Sequence, residues 1–470
     1  MATIFEKIQT EGIAEISYLL GDDGKGVAAI FDATRDVEKY VKLAKERNLV
    51  ITHIFETHIH ADFVSGSREL ENSVGGARIY LSAEGGAEYD FDFQAIRDGD
   101  TFEIGDTRII VRHTPGHTPE HVSYELVSKS EPDSPWGVLS GDSLFVGSAG
   151  RPDLLGEETT EKLTEELFHT LRNYYLGLPD GTLIYPAHGQ GSPCGADIGD
   201  RLHSTIGYEK RTNPFLQYND LGEFKQFVLG GTPPTPTYYP RMKAVNSKGP
   251  EILGASPKIE GLLPDQFEEA MKDEVQVIDT RHMLAFGAGH IAGSMNIGSS
   301  PMLSIWAGWL LDPEEPILLI ADSDMAIDEL VTQLSRTGYT NFAGYLAGGI
   351  NAWIQAGKTI SHLGEQSVHE VNAILSTNGS EVQLVDVRTP SEWKEGHIPG
   401  AMHLFLPELE EEAVKLDKSR ITYTYCASGY RASIAASILA KMGFENVVNI
   451  PGSWKAWKAT GFAVEKGELR

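Results

Sequence analysis

The chain has only two cysteines, Cys194 and Cys426, in 470 residues. They lie far apart, so no disulfide framework carries the fold, and each thiol is a possible reactive group. Basic residues are also scarce: 39 Lys and Arg stand against 67 Asp and Glu, a formal charge of −28. Such a surface repels phosphate backbones and anionic lipid, so neither nucleic acid nor membrane is an expected partner. No apolar run approaches the length of a membrane span. The opening MATIFEKIQTEGIAEISYLLGDDG carries acidic residues and lacks the basic cluster and apolar run of a secretory signal, which makes the cytoplasm the expected compartment. What is abundant is glycine, 49 residues, which suits a loop-rich, β-containing fold of several domains.

In the first half, short β-branched runs alternate with Gly-rich turns. Leu49–Phe55, Thr107–Val111, Val138–Ser140 and Thr182–Tyr185 read as strands, each followed at once by a polar loop bearing His or Asp. Four such loops at strand ends predict one convergent site. Over 229–257 the Pro-rich LGGTPPTPTYYPRMKAVNSKGPEILGA reads as a linker without regular helix. Beyond it lies an internal repeat, VIDTRHMLAFGAGHIAGSMNI against LVDVRTPSEWKEGHIPGAMHL. In that register Asp279 answers Asp386, Arg281 answers Arg388 and His290 answers His397, and GGINAW later answers GSWKAW. Each copy opens with an amphipathic segment followed by an apolar strand, which predicts a duplicated α/β module with parallel sheets.

Chemistry concentrates in two places. ETHIHADFVSG presents His58, His60 and Asp62 after an apolar strand, and TPGHTPEH, SGDSLF and YPAHG add His117, Asp142 and His188. Imidazole nitrogens and carboxylates from separate strand ends can close around a first-row metal ion. These motifs resemble the metallo-β-lactamase superfamily, which implies an αβ/βα sandwich over about residues 1–250. Dinuclear zinc hydrolases of that superfamily carry a further His where this chain has Phe63, and a phenyl ring there leaves a second metal short of ligands. With GSAGRPDLLG and STIGYEKRTNP, that departure resembles the persulfide dioxygenase branch. The resemblance implies mononuclear Fe(II) on His58, His117 and Asp142, with His60, Asp62 and His188 orienting the ligands from outside. Arg151 is a candidate for holding an anionic thiol carrier. Cys194, six residues beyond His188, is a candidate persulfide relay.

The second place is ITYTYCASGYRASIAASILAKMG, where Cys426 follows a strand and precedes a helix, in a short loop with Ser428, Gly429 and Arg431. Backbone N–H groups of such a loop, the helix N-terminus and Arg431 would stabilise a thiolate or persulfide anion. The loop, with VDVR, GHIPGA and PGSWKAW, resembles the rhodanese family over 366–470. In the first copy, 258–360, Ala321 stands at the place of Cys426 and Ala326 at that of Arg431, so that copy reads as a catalytically silent rhodanese-like domain.

Dioxygenase, silent rhodanese and rhodanese in this order resemble the multidomain bacterial CstB-type persulfide dioxygenase–sulfurtransferases. The resemblance implies a low-molecular-weight thiol persulfide and O2 as substrates, sulfite and thiosulfate as sulfur partners, and a homo-oligomer. Two other readings stay open: a zinc thioester hydrolase of the glyoxalase II class fused to a sulfurtransferase, and a non-enzymatic sulfur-carrier scaffold.

Overall fold

The computed structural model describes residues 3–230 and 232–467. It divides into two compact units, Met1–Ser256 with Ser335–Gly338, and Pro257–Leu334 with Tyr339–Arg470.

The first unit holds two six-stranded sheets. One runs in chain order: β1 (Thr3–Thr10), β2 (Glu15–Asp22), β3 (Val27–Phe31), β4 (Val50–Phe55), β5 (Arg78–Ser82) and β6 (Gln94–Ile96). The other comprises β7 (Thr101–Ile104), β8 (Thr107–His113), β9 (Val122–Ser128), β10 (Pro135–Gly141), β11 (Leu183–Pro186) and β12 (Ser204–Thr205), in the order β12-β11-β10-β9-β8-β7. Tyr18, Phe31, Phe55, Val111, Tyr124 and Leu139 pack in one cluster drawn from both sheets, and helices Glu38–Glu46 and Glu157–Asn173 contribute to further clusters with residues of the first and second sheet respectively. This is the αβ/βα sandwich. It explains why β2 reads EISYLLGD with all eight residues buried: a strand covered on both faces has no reason to alternate.

The Pro-rich stretch corrects the sequence reading. Tyr239–Lys248 forms a helix inside the supposed linker, because Pro240 lies in its first turn, where its missing N–H would have had no intrahelical partner. Its buried Asn246 donates from Nδ2 to the carbonyls of His60 and Phe63, both at 2.8 Å, and accepts from Ser65 N at 2.9 Å. The segment is therefore a clamp on the HxHxD loop.

The second unit contains two five-stranded parallel sheets with the same topology. The first joins β13 (Gly261–Leu262), β14 (Gln276–Asp279), β15 (Met295–Asn296), β16 (Ile317–Ile320) and β17 (Phe342–Leu346) in the order β13-β17-β16-β14-β15. The second joins β18 (Gly364–Glu365), β19 (Val382–Asp386), β20 (Met402–His403), β21 (Ile421–Tyr425) and β22 (Val447–Asn449) as β18-β22-β21-β19-β20. The repeat extends to single bonds. Arg281 grips Asp279 and the carbonyl of Gly289, as Arg388 grips Asp386 and the carbonyl of Gly396, each with Nη2 distances of 2.6 to 2.8 Å. Trp353 Nε1 and Trp457 Nε1 donate to Thr359 O and Ala463 O at 2.8 and 2.9 Å.

Candidate active site

In the first unit, chain turns after β4, β8, β10 and β11 bring the polar loops together. His58, His117 and Asp142 offer ligand atoms that all lie within 4.8 Å of one another, and each of the three is buried. Their tautomers are set from behind. His58 Nδ1 donates to Thr57 Oγ1 at 2.9 Å, that hydroxyl being turned toward Asp32, and His117 Nδ1 donates to the carbonyl of Arg151 at 3.0 Å. Both Nε2 lone pairs therefore face Asp142 Oδ2, at 3.7 and 3.5 Å. His58 Nε2 is buried without a hydrogen-bond partner. An orphaned imidazole nitrogen beside a second imidazole and a carboxylate is what a divalent first-row ion satisfies, so the residues fit a metal of that kind.

The electrostatics agree. Burial pushes the His58 imidazole well below its usual range, helped by the neighbouring His60, and burial also lowers His117, so both are neutral donors. Burial alone would raise Asp142, but the surrounding imidazoles, His188 foremost, hold its carboxyl below the usual carboxylate range. His188 grips Asp142 through Nδ1 at 2.7 Å, while its Nε2 lies 2.7 Å from Asp62 Oδ2 and 3.0 Å from Glu15 Oε2. His60 donates from Nε2 to Asp32 at 3.1 Å. Burial opposes its charge, yet Asp32 raises its pKa to about 10.

Backbone geometry makes room for these groups. Gly141, just before Asp142, has φ +52°, and a Cβ there would lie 2.5 Å from His121 Nε2 and 2.7 Å from Thr57 Cβ. At Gly150 a Cβ would meet the carbonyl of Asp142 at 1.9 Å. Phe63 is fully buried with its ring centroid 4.4 Å from that of His60 and 6.3 Å from that of His188, an apolar wall beside Asp62 and His188. Asp62, His188 and Cys194 form a second group of donors within 4.8 Å of one another.

Arg151 and Cys194 hold neighbouring loops together. Arg151 is 4% exposed; its guanidinium pairs with Asp153 at 2.5 Å and donates to Pro233 O at 2.6 Å and Thr235 Oγ1 at 3.0 Å, while its amide donates to Cys194 O at 3.0 Å. Arg151, the candidate handle for an anionic carrier, thus ties its own loop to those of Pro193 and Pro233. The Cys194 thiol is buried, 3.6 Å from Tyr239 Oη, and burial pushes its pKa well above the usual thiol range.

In the second unit, Cys426 directly follows β21 and is 1% exposed. Gly429, left-handed at φ +112°, donates its N–H to the Cys426 sulfur at 3.1 Å and caps helix Tyr430–Lys441. Ser428 is exposed, and its carbonyl accepts from Gly452 N at 3.0 Å. Arg431 does not stand free: Glu392 holds it through two bonds of 2.7 and 2.8 Å. Burial would raise the Glu392 carboxyl, but Arg431 outweighs it and leaves a pKa of about 2. In the silent copy Asp324 stands at the place of Gly429, and its Oδ1 accepts from Gly348 N, the counterpart of Gly452, at 2.9 Å.

Because the Glu392 pKa is depressed on folding, its pairing stabilises the fold above its ordinary value of 4.5 and loses that effect as pH falls toward about 2. Glu392→Gln is therefore expected to destabilise the second unit at pH 6, with the gap to the unsubstituted protein narrowing by pH 3 in urea melts.

Several residues of these sites escaped sequence reasoning. Glu15 has a visible signal, a carboxylate at the head of a largely apolar strand, whereas Thr57, Asn246 and Glu392 have none beyond their final position. His121 accepts from Asp142 N at 3.0 Å and donates to Thr114 Oγ1 at 2.9 Å, so it braces the site without facing a metal. Ser453 Oγ, in the PGSWKAW motif, accepts from Cys426 N at 3.2 Å.

Comparison with known proteins agrees with this geometry. The metallo-beta-lactamase superfamily matches residues 15–188, and the rhodanese-like domain matches 263–356 and again 367–460. The mitochondrial persulfide dioxygenase ETHE1 of Bos taurus is 31% identical over 201 residues, 43% of this chain and 70% of that protein. The cytoplasmic hydroxyacylglutathione hydrolase of Arabidopsis thaliana is 32% identical over 173 residues, 37% of this chain and 62% of that protein. A crystal structure described as a metallo-beta-lactamase from Staphylococcus aureus subsp. aureus COL superposes with a TM-score of 0.68 at 32% identity, covering 74% of this chain and 99% of that one. The chain thus belongs to the metallo-beta-lactamase superfamily, among relatives that include the persulfide dioxygenases, and continues into two rhodanese-like domains in a fused dioxygenase–sulfurtransferase architecture.

Proposed function

We propose that the first unit oxidises a low-molecular-weight thiol persulfide to sulfite at a mononuclear Fe(II), and that Cys426 moves sulfane sulfur between sulfite and thiosulfate. The observation that carries this reading is the convergence of His58, His117 and Asp142 on one point with Phe63 beside the position a second metal would take. In balance, RSSH, O2 and water give RSH, sulfite and two protons. Bound iron would supply the redox chemistry and the open coordination positions that dioxygen requires. The chain's own part is positional: the two Nε2 atoms and Asp142 would hold the ion, His188 fixes the Asp142 carboxylate, and Phe63 offers an apolar wall with no ligand atom beside His60 and His188. In the second half, the Cys426 persulfide and sulfite give the Cys426 thiolate and thiosulfate, with the Gly429 N–H stabilising the anionic sulfur. The direction of net transfer follows the supply of the two sulfur anions.

A specific observation favours a second reading. Asp62, His188 and Cys194 could hold another ion, and hydroxyacylglutathione hydrolases are among the relatives. One experiment separates the two. Metal content of the purified chain is measured, then oxygen uptake with glutathione, coenzyme A and bacillithiol persulfides, with sulfite and thiosulfate quantified. One iron per chain and oxygen consumption are expected; two zinc ions with thioester cleavage would replace this reading by the hydrolase.

A further inference from the structure

The copy without a nucleophile is built into the copy that has one. A single buried apolar cluster runs from Ile278, Ile297 and Leu303 to Ala432, Ala435 and Leu439. The polar contacts between the copies gather on the first two turns of helix Tyr430–Lys441, directly after the Cys426 loop. Tyr430 Oη donates to Gly298 O at 2.9 Å, Ser433 Oγ donates to Asn296 Oδ1 at 2.6 Å, and Asn296 N donates to Ser437 Oγ at 3.0 Å. Asn296 is 1% exposed, and its Nδ2 donates back to the carbonyls of Asp279 and Arg281 at 3.0 and 2.9 Å. Every polar atom of that side chain is satisfied, and its bonds reach both copies. At Gly429 a Cβ would lie 2.9 Å from Met283 Sδ, so the thioether of the silent copy sits against the residue whose amide holds the sulfur.

These contacts bear on chemistry because the hydrogen bond from Gly429 to Cys426 depends on where the helix begins. A shift or tilt of the helix weakens a bond whose strength falls steeply with angle, and moves the helix N-terminus away from the anionic sulfur. A fully satisfied buried amide resists such a shift, since moving it orphans several groups at once.

We propose that the silent copy is a positioning element of the sulfur site, with Asn296 as the positioning residue that sets helix Tyr430–Lys441 and hence the Gly429 N–H against Cys426. The inference rests on the sulfur-transfer reading of Cys426. It gives the silent copy a function that its own loop cannot supply, since Ala321 replaces the nucleophile and Asp324 stands in place of Gly429.

The test uses the full chain, with glutathione persulfide as donor and sulfite as acceptor. Asn296→Ala is expected to lower kcat for thiosulfate formation about tenfold with KM for sulfite unchanged, and Tyr430→Phe about threefold, because the cradle and not the acceptor's binding is disturbed. A purely structural role would instead lower the amount of folded protein at unaltered kcat per folded molecule. Both variants folded and at the unsubstituted kcat would overturn the proposal. If Asn296→Ala does not fold, Tyr430→Phe decides alone, an unchanged kcat overturning and a fall at constant KM supporting. An unsubstituted chain that forms no persulfide on Cys426 would sink the sulfur-transfer reading, and this inference with it.

Discussion

Asp142→Ala is expected to leave the first unit without metal and to cut persulfide-dependent oxygen uptake at least about 100-fold, since even partners of metal ligands are typically worth about 10- to 100-fold. The carboxylate does two jobs here. Its Oδ2 faces the Nε2 atoms of His58 and His117, and both of its oxygens approach His188 Nδ1, at 2.7 and 3.0 Å. Removing it takes away the only anion among the three ligands and leaves His188, whose pKa stands well above its usual range despite burial, facing Asp62 and Glu15 alone. Breaking a buried charged contact from one side costs about 3 to 5 kcal/mol, so loss of fold must be distinguished from loss of metal. Asp142→Asn does this: the amide keeps shape and a hydrogen-bonding oxygen, and should give a folded protein with little iron. The measurement is iron per chain alongside oxygen-electrode rates. An Asp142→Ala protein with full iron and full uptake would reject this ligand set.

Cys426→Ser is expected to lower thiosulfate formation or use at least about 1,000-fold, as deletion of a nucleophile does, while sulfite production from added persulfide continues. Ser Oγ can accept the Gly429 N–H that now meets the sulfur, and the side chain is small, so stability should change by about 1 kcal/mol or less. The silent copy cannot compensate. Ala321 offers no nucleophile, and Asp324 puts a carboxylate at the position where Gly429 supplies the amide for the sulfur. Sulfite and thiosulfate measured together report the two halves separately. Loss of both in Cys426→Ser would reject the division of labour.

Where the residues that converge lie in short motifs, the sequence was legible. His58, His117 and Asp142 follow strands whose apolar runs are plain, and Cys426 sits in a loop whose spacing allows few other structures. The strands themselves appear within a few residues of their predicted limits, because β-branched runs bounded by glycine leave little choice. Residues 239–248 were misread because proline was weighed as a helix breaker without regard to position: in the first turn it costs no hydrogen bond. The partners of Arg151 were legible only in part: Asp153 lies two residues away in the same motif, but the carbonyls of Pro193 and Pro233 lie more than forty and eighty residues away.

The sequence by itself determined the fold class and the three-part order, and pointed to candidate reactive atoms, since those depend on side-chain chemistry and on periodicities that are local. Only the tertiary structure decided which groups are free to act. It turned Asn246 of a supposed linker into a clamp on the HxHxD loop, tied Arg431 to Glu392, and buried Asn296 between a copy that has lost its nucleophile and the helix behind Cys426. The physical reason is the same in each case. A donor's availability is set by the partners that folding brings within 3 Å, and those partners come from distant parts of the chain.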